Sequence, residues 1–200
     1  MKKLSLTLAF AIISVFAFSQ IGFRAGLNYS SISISTEDES EDLVKYKSNI
    51  GFQAGIDYEL GLTENLFFNP AFLYSQKGSK MEVSFLGESA EGKMIFNYIE
   101  LPLDFVYKFG SDDLKFGVFA GPYVGYWLSG KSEFDGEEEE IEGEDVNKID
   151  FGAEFGAGVY FNKLNLRVYY SLGLSNIVKD VEEGEFLKNK GLGLTVGYRL

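Results

Sequence analysis

The stretch Gly191–Leu200, GLGLTVGYRL, reads as two faces. Leu192, Leu194, Val196, Tyr198 and Leu200 alternate with Gly191, Gly193, Thr195, Gly197 and Arg199. A period of two is the geometry of a β-strand, whose successive side chains point to opposite sides. One side is apolar throughout and the other is small or charged. This strand therefore separates two environments.

Seven further segments repeat the pattern: Ile21–Ser30, Ile50–Leu60, Leu66–Lys77, Lys93–Phe109, Leu114–Ser129, Lys148–Phe161 and Leu164–Ser175. The connections between them run long, short, long, short, long, short, long. The short ones are Gly61–Asn65, Gly110–Asp113 and Asn162-Lys163; the long ones are Ser31–Asn49, Gly78–Gly92, Gly130–Asn147 and Asn176–Lys188. An even-stranded, up-and-down β-barrel with both termini in the periplasm requires that order, with its long loops outside. Pro70, Pro102 and Pro122 fall inside strands, where each removes a ladder donor and predicts a bulge or irregular pairing nearby.

The chain opens with MKKLSLTLAFAIISVFAFSQ. Lys2 and Lys3, the apolar run Leu4–Phe18 and the small residues Ala17 and Ser19 read as an export signal cleaved before Gln20. The alternative, an uncleaved anchor, is short for a spanning helix. Residues 1–19 are thus assigned to a signal peptide and residues 20–200 to one barrel domain of about eight strands. With no cysteine, the chain has no lipoprotein anchor and no disulfide.

Its acidity is local. Glu37–Asp42, Glu133–Asp145 and Asp180–Glu185 hold 18 of the 30 acidic residues, all in expected outer loops. The charge sign disfavours nucleic acid as a partner.

Alternation alone does not say which face points inward. A soluble, lipocalin-like periplasmic barrel would bury the apolar face with the same period. Lipid on the outside is favoured by a polar face made of Gly, Ser, Asn and isolated charges of both signs. It is also favoured by outward tyrosines at strand ends, Tyr29, Tyr74 and Tyr126 at one rim and Tyr58, Tyr107 and Tyr198 at the other. That arrangement reads as an aromatic girdle.

Several stretches carry a resemblance: FRAGLNYSS (23–31), FQAGIDYELGLTENLFFNPAFLYSQKGSK (52–80), YIELPLDFVYKF (98–109), GPYVGYWLSGK (121–131), DFGAEFGAGVYF (150–161), RVYYSLGLSNI (167–177) and GLGLTVGYRL. In these the chain resembles the outer-membrane β-barrel proteins of Bacteroidetes-type bacteria described as porin-family or PorT-like. The resemblance covers residues 21 to 200. It implies an eight-stranded transmembrane barrel with no known catalytic set; one PorT-like branch is associated with protein secretion and gliding. The chain departs from the usual insertion signal in ending on Leu200 rather than an aromatic, with Tyr198 two residues earlier.

Histidine is absent, which excludes Ser-His and Asp-His mechanisms. The reading is a non-enzymatic protein without cofactor. Its expected interior polar residues are Arg24, Asp57, Glu59, Glu100, Asp104, Lys108, Lys115, Glu154, Arg167 and Arg199. An eight-stranded barrel is just wide enough for side chains to fill, and buried charges must pair. A structural plug is therefore expected, with an ion path as the alternative. Glu137, Glu138, Glu139 and Glu140 are expected in a solvated loop, with weak divalent-cation binding and bridging to lipopolysaccharide as the sharper reading. Expected partners are outer-membrane lipid and lipopolysaccharide, the insertion machinery, and a surface or secretion partner. The function expected is structural or surface-interacting; the alternatives are a small-solute channel, a secretion component, or a soluble periplasmic binding barrel.

Overall fold

The computed structural model describes residues 20–35, 44–85, 88–111, 113–134, 136–179 and 186–200. The expected signal peptide and the acidic clusters Glu37–Asp42 and Asp180–Glu185 lie outside the described residues. Among the described residues nine strands form: β1 (Gln20–Ser35), β2 (Val44–Gly61), β3 (Leu66–Phe85), β4 (Glu88–Gly110), β5 (Leu114–Phe134), β6 (Glu137–Glu140), β7 (Ile149–Phe161), β8 (Leu164–Gly173) and β9 (Phe186–Arg199). Eight of them close an antiparallel ring, β1-β2-β3-β4-β5-β7-β8-β9, with β9 pairing back onto β1. β6 stands outside the ring as an extension of β5. Apart from the closing β9–β1 pair, each ring strand pairs with the next ring strand along the chain, so the barrel is up-and-down, and closure leaves the ring no open edge.

The alternation sorts side chains between two environments. Outward residues are apolar and exposed, among them Leu194 and Phe155, with Val196 54% exposed. Inward residues are polar and buried, with Arg167 2% and Glu154 7% exposed. A soluble barrel would show the reverse, so the soluble periplasmic reading is corrected. No helix among the described residues is long and apolar enough to cross a membrane, and the strands provide the lipid-facing surface.

Strand ends differ from the sequence expectation: β1 runs on to Ser35, β2 starts at Val44 and β9 at Phe186, all inside the expected long loops Ser31–Asn49 and Asn176–Lys188, and β3 to β6 depart further. Within the expected loop Gly78–Gly92, Gly78–Phe85 and Glu88–Gly92 are paired strands, with β3 and β4 in register from Lys77↔Phe96 up to Phe85↔Glu88. β3, β4 and β5 run 20, 23 and 21 residues, about twice the length needed to cross a bilayer. Their far halves therefore project beyond the rim. Glu137–Glu140 is likewise a strand, antiparallel to Lys131–Phe134.

The prolines leave the register unchanged. Pairing lapses after Pro70↔Leu103 and resumes at Leu73↔Glu100, and lapses after Pro102↔Tyr123 and resumes at Phe105↔Ala120. Register shifts occur instead between Ser48 and Gln53 and between Asn97 and Tyr98. A missing N–H donor opens the ladder locally, whereas a bulge needs an additional residue.

Candidate functional site in the barrel interior

The inward positions assemble into tiers. In the lower half, nearest the termini, the chain of contacts is continuous. Lys108 Nζ lies 2.6 Å from Glu59, which also receives Arg199 Nη2 at 3.1 Å. Arg199 Nη1 donates to Asp57 at 2.5 Å, and Arg24 donates to the other Asp57 oxygen at 3.1 and 3.2 Å. Arg24 and Arg167 share the Asn69 side-chain oxygen at 2.7 and 3.0 Å, and Arg167 pairs with Asp104. Arg167 also stacks on Phe119, 3.7 Å from its ring centre. Glu154 is buried within the field of Arg24, Arg167 and Asp104.

The middle tier is uncharged. Gln53 donates to Asn28 and to the Tyr169 hydroxyl, at 3.0 and 2.5 Å, and Tyr169 donates to Asn28 at 3.1 Å. Tyr169 fits because it faces Gly193, where an added Cβ would come within 2.1 Å of its ring. This is one use of the glycine-dotted face.

Above it, Lys77 pairs with Glu100 and lies 3.8 Å from Asp150. It sits over the rings of Tyr123 and Tyr98. Asp150 accepts from Tyr123 at 3.3 Å, Asn189 at 3.0 Å and Ser175 at 2.9 Å.

An apolar cap closes the outer mouth. Ile32, Phe96, Tyr98, Trp127, Val146 and Ile177 form one buried cluster, with Met94, Ile141 and Leu187 against it. Two hydrogen bonds join the connecting segments, Asn147 N to Ile177 O at 2.8 Å and Lys179 N to Asp145 O at 2.9 Å, and a third ties Ile177 N to Leu187 O of β9 at 2.8 Å. Lys148 lies 3.9 Å over the Trp127 ring.

Of the ten residues expected inside, eight are buried. Glu59 and Lys115 are half-buried at the lower mouth. The expected girdle residues Tyr29, Tyr107, Tyr126 and Tyr198 are exposed on the outer wall, and Tyr58 and Tyr74 are half-buried. Sequence reasoning missed Lys77, Asp150, Tyr98, Tyr123 and Tyr169. All five share the inward parity of their strands, and parity alone would have found them.

The carboxylates of Glu137–Glu140 do not converge, because alternate residues of a strand point to opposite faces. They are exposed, and Glu138 pairs with Lys131 at 3.3 Å. Among the described residues, no group of three or more acidic side chains is placed to hold a metal ion. The solvated loop is thus corrected to a strand, and the four residues form no cation cage.

The profile of the outer membrane protein beta-barrel domain family matches residues 14–179. No curated protein sequence matches the chain. Among solved structures it is similar to Neisserial surface protein A, with 15% identity over 90% of this chain and 97% of that one and a TM-score of 0.47. It is also similar to Ail, the attachment invasion locus protein of Yersinia pestis (17% identity, 91% and 99% covered, TM-score 0.47). A third similar structure is the outer membrane enzyme PagL (13% identity, 88% and 98% covered, TM-score 0.44). With the family profile covering most of its length and its strands closing an inside-out ring, the chain belongs to the family of outer membrane protein beta-barrel domains.

Proposed function

We propose that the protein is a non-enzymatic outer-membrane barrel with a closed lumen, exported by residues 1–19, whose working surface is the part projecting beyond the outer rim. One observation carries this reading: the interior is occupied tier by tier, and an apolar cluster covers its outer mouth. Ions crossing it would have to displace Arg167 from Asp104 and part the Tyr169, Gln53 and Asn28 tier. The projecting strands β3, β4, β5 and β6 are left as the face available to a surface partner. Bacteroidetes-type, PorT-like membership rests on the sequence resemblance and fits a partner of the secretion apparatus. The absence of histidine supports a role without hydrolytic chemistry.

Planar-bilayer recording of the refolded protein tests the closed lumen. The expected trace shows no discrete conductance steps. Reproducible unitary steps that survive further purification would favour the small-solute channel and overturn the proposal.

A further inference from the structure

We infer that the lower mouth of the barrel is a binding site for a phosphate group. The mouth is a cavity of about 240 Å³ whose walls come from every strand of the ring except β1. Glu59, Phe67, Lys108, Lys115, Tyr160, Asn165 and Arg199 line it together with Asn162, Lys163 and Leu164 at the β7–β8 turn. Four of these side chains are cationic and one, Glu59, is a carboxylate. Glu59 already serves Lys108 and Arg199. Lys108 is held there by the Phe67 and Tyr160 rings, 4.4 and 4.2 Å from its Nζ. Among the described residues Lys115 and Lys163 have no ion-pair partner, so the cavity carries surplus positive charge.

A second observation is independent of the charge. Tyr160, which lines the cavity and is more than nine-tenths buried, holds a side-chain hydroxyl with no hydrogen-bond partner. Buried polar atoms are rarely left so in a folded protein. The tyrosine hydroxyl is a donor that an oxyanion can use. A phosphate monoester brings about −1.5 to −2 charges on a compact group with three acceptor oxygens. It therefore matches this surplus better than a single carboxylate does, and lysine is a common phosphate ligand acting as a point charge. The site lies at the end that holds both termini and the short turns, which in such barrels faces the periplasm. Lipid headgroups of the inner leaflet and free phosphate compounds both reach that level.

The test uses protein purified from outer membranes in octyl glucoside, a phosphate-free detergent. Phosphorus NMR line widths follow titration with inorganic phosphate and with dihexanoyl phosphatidic acid; acetate and dihexanoylglycerol serve as controls. Saturable binding is expected, weakened about tenfold or more in the double variant Lys115→Gln/Lys163→Gln, which removes two charge-assisted contacts. Lys179→Gln, at the opposite end, should bind as the parent does. Binding of both phosphate probes identifies a site for free phosphate, and binding of the lipid probe alone identifies a headgroup site. Binding of neither, equal competition by acetate, or indifference to the double variant overturns the inference. Heat-modifiable gel migration of the variants separates loss of the site from loss of the fold.

Discussion

Arg167 shows what a single residue does inside this barrel. Its guanidinium is fully enclosed, paired with Asp104, bonded to Asn69 and stacked on Phe119. Such a pair contributes little net stability over an apolar replacement, but breaking it strands a charge. Asp104→Ala should therefore destabilise the barrel by about 3–5 kcal/mol, read as the urea midpoint of the protein refolded in micelles. Asp104→Leu combined with Arg167→Met should recover most of that loss; a double variant no better than the single one would mean the pair is not the cause. On the other face, Leu194 points outward and is half exposed. Leu194→Arg should cost about 2–4 kcal/mol near mid-bilayer. An unchanged unfolding midpoint in lipid vesicles would show that this face does not meet acyl chains.

At the scale of elements, the cap and β6 make opposite contributions. The cap is a small core assembled from β1, β4, β5, β9 and two connecting segments, with Val146 at 1% exposure. Val146→Asp would bury an unpaired carboxylate, at a cost of several kcal/mol that opening the segment relieves. Trypsin should then cut at Lys148 many times faster while the barrel keeps its folded gel mobility. Cleavage at the parent rate would show that the cap does not depend on this contact. By contrast, β6 has four exposed side chains and one neighbouring strand. Deleting Glu137–Glu140 should leave heat-modifiable migration intact, and loss of that migration would give β6 a scaffold role the contacts do not suggest.

The whole molecule is an inside-out protein. Its outward apolar residues encircle the ring, far beyond the few hundred Å² that soluble monomers leave exposed. Backbone groups can face hydrocarbon because the closed ladder satisfies them. The protein should sediment with membranes, resist an alkaline carbonate wash and come into solution only with detergent. Recovery in the soluble periplasm would contradict the outward face as a lipid surface. Apart from Lys115 and Lys163 at the lower mouth, which have no ion-pair partner among the described residues, interior charges are matched locally: Arg24, Lys77, Lys108, Arg167 and Arg199 pair with Asp57, Glu59, Glu100, Asp104 and Asp150. That balance is what allows a narrow lumen to be filled by ionised side chains.

The period of two was enough to locate the strands and to sort the residues of each between two faces, because alternation is a local property of every residue. The order of long and short connections added the closed ring, and the glycine-dotted, mixed-charge face and the tyrosines at strand ends said which side met lipid. Together they placed Arg24, Asp57, Asp104 and Arg167 inward without any knowledge of their partners. Strand ends were not legible from these patterns. Gly78–Phe85, Glu88–Gly92 and Glu137–Glu140 carry the polar composition of loops, yet they pair because neighbouring strands continue beyond the rim and supply a ladder. Which charge meets which also escaped the sequence: the Arg167–Asp104 and Arg199–Asp57 pairs join residues 63 and 142 positions apart. Only the stagger of the closed ring brings those positions to one level. The cap escaped for the same reason, since Ile32, Phe96, Trp127, Val146 and Ile177 share no local pattern and meet only once the barrel mouth has formed.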